Sequence, residues 1–187
     1  MTFTVLDQRP IVVATAGPNG AGITTFYHAH LAPAALRLVN TDVLALELGL
    51  TAAAAMAAAN ALRRALVSRR ESFVFDTLFS DPVGDELAFL ADTAASGYTV
   101  VLCFIGIASA DQSDERVAMR VSQGGHDVPV DKIRSRFART MANLHAAIQR
   151  LPRPWCSTTP TSSGHFGTSP LTKMASVDST PTHFRRG

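Results

Sequence analysis

Short apolar runs alternate along the chain with stretches of helical spacing, and the breaks between them hold most of the candidate chemistry. Ile11-Val12-Val13-Ala14 reads as a buried strand that ends at glycines, and residues 24–31 can form a short helix that Pro33 stops. A second strand candidate, Leu36-Arg37-Leu38-Val39, ends in Asn40-Thr41-Asp42. Residues 51–70 are alanine-rich and predict a helix, with Ala55, Ala58, Ala59, Leu62, Ala65 and Leu66 on one stripe and Arg63, Arg64, Arg69 and Arg70 elsewhere. Those arginines suit the negative pole of the helix dipole, so a solvated face is expected rather than a binding patch. Phe73-Val74-Phe75 reads as a third strand and delivers Asp76-Thr77 at its carboxyl end. Residues 81–96 suggest a helix closed by Gly97. The run 99–107 is the most apolar of all, as expected of a strand in the middle of a parallel sheet covered on both faces. This alternation predicts an α/β fold with a parallel sheet and right-handed crossovers.

From Ser109 the pattern changes. A helix over 111–123 carries Arg116 and Arg120 at i and i+4, on one face, and Gly124-Gly125 ends it. Pro129 can open the next helix, which runs to about Arg150 with Ile133, Phe137, Met141, Leu144 and Ile148 as its buried stripe and Arg134, Arg136 and Arg139 elsewhere. Residues 109–150 therefore read either as an arginine-bearing lid hinged at glycines or as a plain helical hairpin with solvated arginines. His126, in the hinge, reads as a turn residue. One domain is expected over 1–155. The tail 156–187 is dominated by Ser, Thr, Pro and Gly, includes no convincing final strand, and is expected to be disordered.

Charge narrows the function classes. Seventeen basic against fifteen acidic residues give +2, which makes no whole-protein case for nucleic acid or an anionic membrane as partner. Cys103 and Cys156 form neither a disulfide framework nor a metal spacing. The first residues lack the basic and apolar character of a leader, and Gly17, Pro18, Asn19, Gly20 and Pro33 interrupt the uncharged stretch 10–36 too often for a membrane span. A cytoplasmic protein is the resulting expectation.

The first break carries the most specific chemistry. Gly17-Pro18-Asn19-Gly20-Ala21-Gly22-Ile23-Thr24-Thr25 has the layout of a phosphate-binding loop, in which backbone N–H groups and the positive end of the next helix converge on an anion. Gly17, Gly22 and Thr24 occupy their places in the motif Gly-x4-Gly-Lys-[Ser/Thr], whereas Ile23 stands where the lysine belongs. No nearby lysine replaces it, since Lys132 and Lys173 are the chain's only two. Asp42, at the carboxyl end of a strand, is placed to face the phosphates, or Asn40, Thr41 and Asp42 cap the next helix, and both can hold. Asp76 can hold a magnesium ion or orient a substrate hydroxyl.

Together, Ala16-Gly-Pro-Asn-Gly-Ala-Gly22, Val39-Asn-Thr-Asp42, Phe75-Asp-Thr77 and, most specifically, Arg116-Val-x-x-Arg120-Val-x-x-Gly124-Gly-His126-x-Val-Pro129 with Ile133-x-x-Arg136 and Asn143-Leu144 resemble the zeta-toxin-like P-loop kinases and related predicted P-loop ATPases. The resemblance spans roughly residues 9–151. It implies ATP and Mg2+ as cofactors and transfer of the γ-phosphate to a hydroxyl of a small-molecule substrate, UDP-N-acetylglucosamine in characterised zeta toxins. It implies Asp42 as general base, residues 17–25 as the phosphate cradle, and Thr24 and Asp76 as Mg2+ ligands. Asp76, Thr77 and Arg116 would contact substrate, and Arg120 and Arg136 would neutralise the transferring group, a role Arg116 could also fill. A small antitoxin protein is an implied partner. Ile23 and the irregular tail also fit a second reading, a catalytically inactive remnant that binds nucleotide weakly or binds a partner protein.

Overall fold

The computed structural model describes residues 4–124, 127–152 and the strand 154–158. Five strands form one parallel sheet: β1 (Ile11–Ala16), β2 (Arg37–Val39), β3 (Phe73–Thr77), β4 (Thr99–Gly106) and β5 (Pro154–Thr158), in the order β2-β3-β1-β4-β5. The helices are α1 (Ile23–Phe26, continued by wider and tighter turns to Ala34), α2 (Thr41–Leu48), α3 (Ala52–Ser68), α4 (Asp85–Ala95), α5 (Ala110–Ser122) and α6 (Val130–Arg150).

Strand alternation divides the core in two. Val12, Ala14 and Ala16 of β1, Phe73 and Phe75 of β3, and Val100, Leu102 and Phe104 of β4 pack with Ala59, Leu66, Leu87, Leu90, Leu144 and Ala147 from α3, α4 and α6. Ile11, Val13, Val74, Val101, Cys103 and Ile105 turn to the opposite face and meet Ala21, Phe26 and Leu31. Period two with both faces covered is why β1 and β4 read as unbroken apolar runs. With all strands parallel, the segments following β1, β2 and β3 leave from one edge of the sheet. The chain places β2 and β3 on one side of β1 and β4 and β5 on the other, so β1 marks the point where ligands bind in open α/β sheets.

Four readings are corrected. A final strand does exist: β5 pairs with β4 in the register Cys103↔Trp155, while the expectation for 159–187 lies outside the described residues, as does His126. The helix predicted over 51–70 is preceded by a separate α2, whose N-cap is Asn40. On α3 the buried stripe is Ala55, Ala59, Arg63 and Leu66, so Arg63 is not on the solvated face and Ala65 is exposed. On α6 the buried positions are Ile133, Thr140, Leu144 and Ala147, while Met141 and Ile148 are exposed at 40% and 38%. The α6 stripe drifts because Thr140 is drawn inward to donate to the Leu78 carbonyl at 2.7 Å. No single helix among the described residues is long and apolar enough to cross a membrane.

Candidate functional site

The loop 17–22 turns tightly between β1 and α1. Ala21 N–H donates to the Pro18 carbonyl at 3.1 Å, and Gly20 and Gly22 take φ of 74° and 89°, a left-handed conformation that costs little only for glycine. Gly17 is demanded by space instead: a Cβ there would lie 2.3 Å from the Ile105 carbonyl oxygen of β4. Gly22 is the N-cap of α1 and makes no side-chain cap, so the first N–H groups of that helix are left for something else. Thr24 and Thr25 are exposed on that first turn. Ile23 is half-buried and packs against the apolar cluster beneath the loop, which an ammonium group would not favour.

Helix α5 leans on the loop from above. Ser113 Oγ donates to the Asn19 carbonyl at 2.6 Å, and Arg116 Nη1 donates to the Gly20 carbonyl at 3.3 Å. Arg116 is half-buried, whereas Arg120, one turn on, is exposed. Arg136 is half-buried on α6. An exposed ion pair between Arg134 and Asp111 at 3.0 Å ties the two helices.

Asp76 lies in β3 near its carboxyl end and Asp42 in the first turn of α2, near enough for its charge to act on Asp76. Asn40 joins them: its Oδ1 accepts from Val43 N–H at 2.7 Å, starting α2 beside Asp42, and its Nδ2 donates to Asp76 Oδ2 at 2.8 Å. Both readings of Asn40-Thr41-Asp42, cap and site, are thus compatible in one geometry. Burial pushes the Asp76 carboxyl up to about 6, and the nearby Asp42 charge adds to this, against its own backbone N–H, Arg63 and Asn40, which pull it down. The other oxygen, Oδ1, is buried with no hydrogen-bond partner among the described residues. An orphaned, desolvated carboxylate oxygen suits a cation. Asp42 itself is exposed.

Beneath Asp76 lies a polar layer that sequence reasoning missed. Thr77 Oγ1 donates to the Glu86 carboxylate at 2.7 Å and accepts from Phe79 N–H at 2.8 Å, so it is engaged in holding the turn after β3. Glu86 faces Arg63 at 3.9 Å, with side-chain exposures of 15% and 6%. The Arg63 guanidinium also lies over the Phe75 ring at 4.5 Å and bonds Asn60. Burial raises the Glu86 carboxyl, opposed by Thr77 and Arg63 and reinforced by Asp81. From the far side, α6 grips the same turn: Arg139 Nε donates to the Ser80 carbonyl at 2.9 Å, and Asn143 Nδ2 to the Phe79 and Asp81 carbonyls at 3.0 Å each. The signal for Arg63 was its place at i+4 from Ala59, a buried position whatever its charge. The signal for Ser113 was its place at i−3 from Arg116.

The edge therefore gathers the loop 17–25, Asp42, Asp76 and Arg116. The structure places Thr77 with Glu86 in the supporting layer, and Arg120 and Arg136 on the two helices above. Among the described residues no three His, Cys, Asp or Glu side chains gather as a metal-binding group. A concavity of about 350 Å3 between α3 and α4, lined in part by Arg64, Asp85, Phe89 and Asp92, is separate from the loop.

No protein-family model matches the chain, and no curated protein matches it in sequence. Solved structures do match in fold. The complex of AvrRxo1-ORF1 and AvrRxo1-ORF2 with ATP gives a TM-score of 0.68 at 21% identity, covering 88% of this chain and 59% of that one. A structure of the PezAT chromosomal toxin-antitoxin system of Streptococcus pneumoniae gives 0.61 at 15% identity, covering 90% and 77%. Shikimate kinase from Acinetobacter baumannii gives 0.53 at 13% identity, covering 88% of each. The α/β architecture is thus shared with kinases and with components of toxin–antitoxin systems, and the chain spans about three fifths of the AvrRxo1 chain it matches.

Proposed function

We propose that the chain is an ATP-binding kinase of the zeta-toxin-like kind, transferring the γ-phosphate to a hydroxyl of a small-molecule acceptor. The observation that carries this reading is the presence of the loop 17–22, with its left-handed Gly20 and Gly22, on the same sheet edge as the carboxylates Asp42 and Asp76. Phosphoryl transfer asks a protein mainly for positioning and charge neutralisation. Residues 17–25 would hold the phosphates through backbone N–H groups. Asp42, which is exposed, would take the proton of the acceptor hydroxyl as its oxygen bonds to the γ-phosphorus and the bond to the β–γ bridging oxygen breaks. Arg120 and Arg136 would approach the transferring group when α5 and α6 close over it. Asp76 through its orphaned Oδ1, and the Thr24 hydroxyl, are the side chains that would hold Mg2+, which when bound supplies positive charge to the phosphate oxygens. Asn40 holds the other Asp76 oxygen, Oδ2, at 2.8 Å, which leaves Oδ1 for that role.

UDP-N-acetylglucosamine is the acceptor we propose first, by the resemblance of the Arg116–Pro129 segment, and the cytoplasm is the compartment that supplies both reactants. A small antitoxin protein is the proposed partner. The test is phosphorylation of that sugar nucleotide with labelled ATP and Mg2+, by this chain and by Ile23→Lys. Product with either supports a kinase, and more with Ile23→Lys assigns the shortfall to position 23. Complete absence of product in both refutes UDP-N-acetylglucosamine kinase activity. The packing of Ile23 into the core favours one second reading, a protein that binds nucleotide but turns it over poorly.

A further inference from the structure

Position 23 leaves the phosphate loop without the cation its motif would supply, and Lys132 stands exposed on α6. A charge does reach the loop, from outside it. Arg116 enters from α5 and puts Nη1 on the carbonyl of Gly20, a residue of the loop, 3.3 Å away. The contact is built into the backbone of both partners. A Cβ on Gly20 would stand 2.9 Å from Arg116 Cβ, so only glycine lets the helix approach this closely. One turn earlier, Ser113 is fully buried and pins the Asn19 carbonyl at 2.6 Å, which fixes the height of α5 over the loop. A guanidinium carries five donors in a planar fork suited to phosphate oxygens, and one contact with a carbonyl does not exhaust them.

We propose that Arg116 takes over the work of the missing lysine, supplying from α5 the positive charge that a nucleotide's phosphate chain meets in this loop. The assignment rests on the nucleotide-binding reading above. It changes how the site is assembled. A lysine on the loop is in place whenever the loop is folded, whereas Arg116 is in place only while α5 rests on residues 19 and 20. Ile23 is then free to serve the core, and the two positions form an exchanged pair.

The experiment is calorimetric titration of MgATP into the full chain, Arg116→Gln, Arg116→Lys, Ile23→Lys and Ile23→Lys/Arg116→Gln, each checked for an unchanged melting profile. Glutamine retains a donor for Gly20 but no charge, so a merely structural role survives it. A charge-assisted bond to phosphate predicts that Arg116→Gln weakens binding by about tenfold or more, while Arg116→Lys stays within about threefold of the parent. In the Ile23→Lys background the same Arg116→Gln change costs less than about threefold, because the two cations serve one ligand. Binding by the parent that Arg116→Gln leaves unaltered overturns the assignment alone, and so does an equal loss in both backgrounds. If no variant binds MgATP, the nucleotide-binding reading falls and the assignment with it.

Discussion

Replacing Arg63 by methionine isolates the polar layer that holds the turn after β3. Arg63 is 5% exposed, and its guanidinium is a counter-charge for Glu86 and acts on Asp76 as well. Methionine keeps the stem volume but leaves Glu86 buried without a partner ion, a change that costs about 3–5 kcal/mol when a buried pair is broken from one side. Loss of the guanidinium from the faces of Phe75 and Phe89 adds about 0.5–1 kcal/mol, and the packed thioether offsets a similar amount. We therefore expect a loss of about 3–5 kcal/mol at pH 8, or roughly 10 °C in melting temperature for a chain of this size. The loss must depend on pH. Burial holds the folded Glu86 carboxyl above its ordinary value of 4.5, and removing Arg63 raises it further. Folded Glu86 then binds its proton more tightly than the unfolded chain does. Its stabilising contribution is complete below 4.5 and is lost as pH rises through the folded value, so the deficit opens as pH passes the parent's folded value, above 4.5, and grows toward the variant's still higher one. Urea denaturation of both proteins at pH 5, 6.5 and 8 reads this directly, and Arg63→Met/Glu86→Gln should recover much of the pH 8 loss. A deficit below about 1 kcal/mol at pH 8, or one equal at pH 5 and pH 8, would refute the buried-pair account.

Two further substitutions test neighbouring parts of the site. Gly17→Ala forces a Cβ to within 2.3 Å of a β4 carbonyl oxygen, and since backbone cannot yield cheaply we expect at least the ~1–3 kcal/mol of an overpacked core, read as a lower urea midpoint. Asp76→Asn replaces a carboxylate whose burial disfavours its charge; the ligand-free protein should melt higher at pH 8 while any Mg2+-dependent gain in stability on adding ATP is lost, and a lower melting temperature without ligand would contradict the desolvation argument.

The legible parts of this fold were those where one period dominates. β1, β3 and β4 alternate between two covered faces, so their runs announced both strands and burial, and the glycines marked the turn, Gly20 and Gly22 through their left-handed backbone and Gly17 through the closeness of β4. Asp42 and Asp76 were legible from their places after strands. What stayed hidden depended on long-range partners. Arg63 reads as a surface charge until Glu86 and the ring of Phe75 are brought to it from β3 and α4. Thr140 reads as polar until α6 meets the Leu78 carbonyl. Short α2 was missed because it buries no residue and so shows no stripe, its start being written only in the cap at Asn40. β5 was missed because an edge strand opening at Pro154 amid Ser and Thr lacks the apolar signal of the central strands.

The central claim is that nucleotide phosphates sit in the loop between β1 and α1. Backbone amide chemical shifts recorded while MgATP is titrated into the labelled protein test it most directly. The account predicts the largest changes at Gly20, Ala21, Gly22 and Thr24, with smaller ones at Asp42, Asp76 and Arg116. Shifts confined to the concavity between α3 and α4, or none in residues 17–24 at millimolar MgATP, would contradict it.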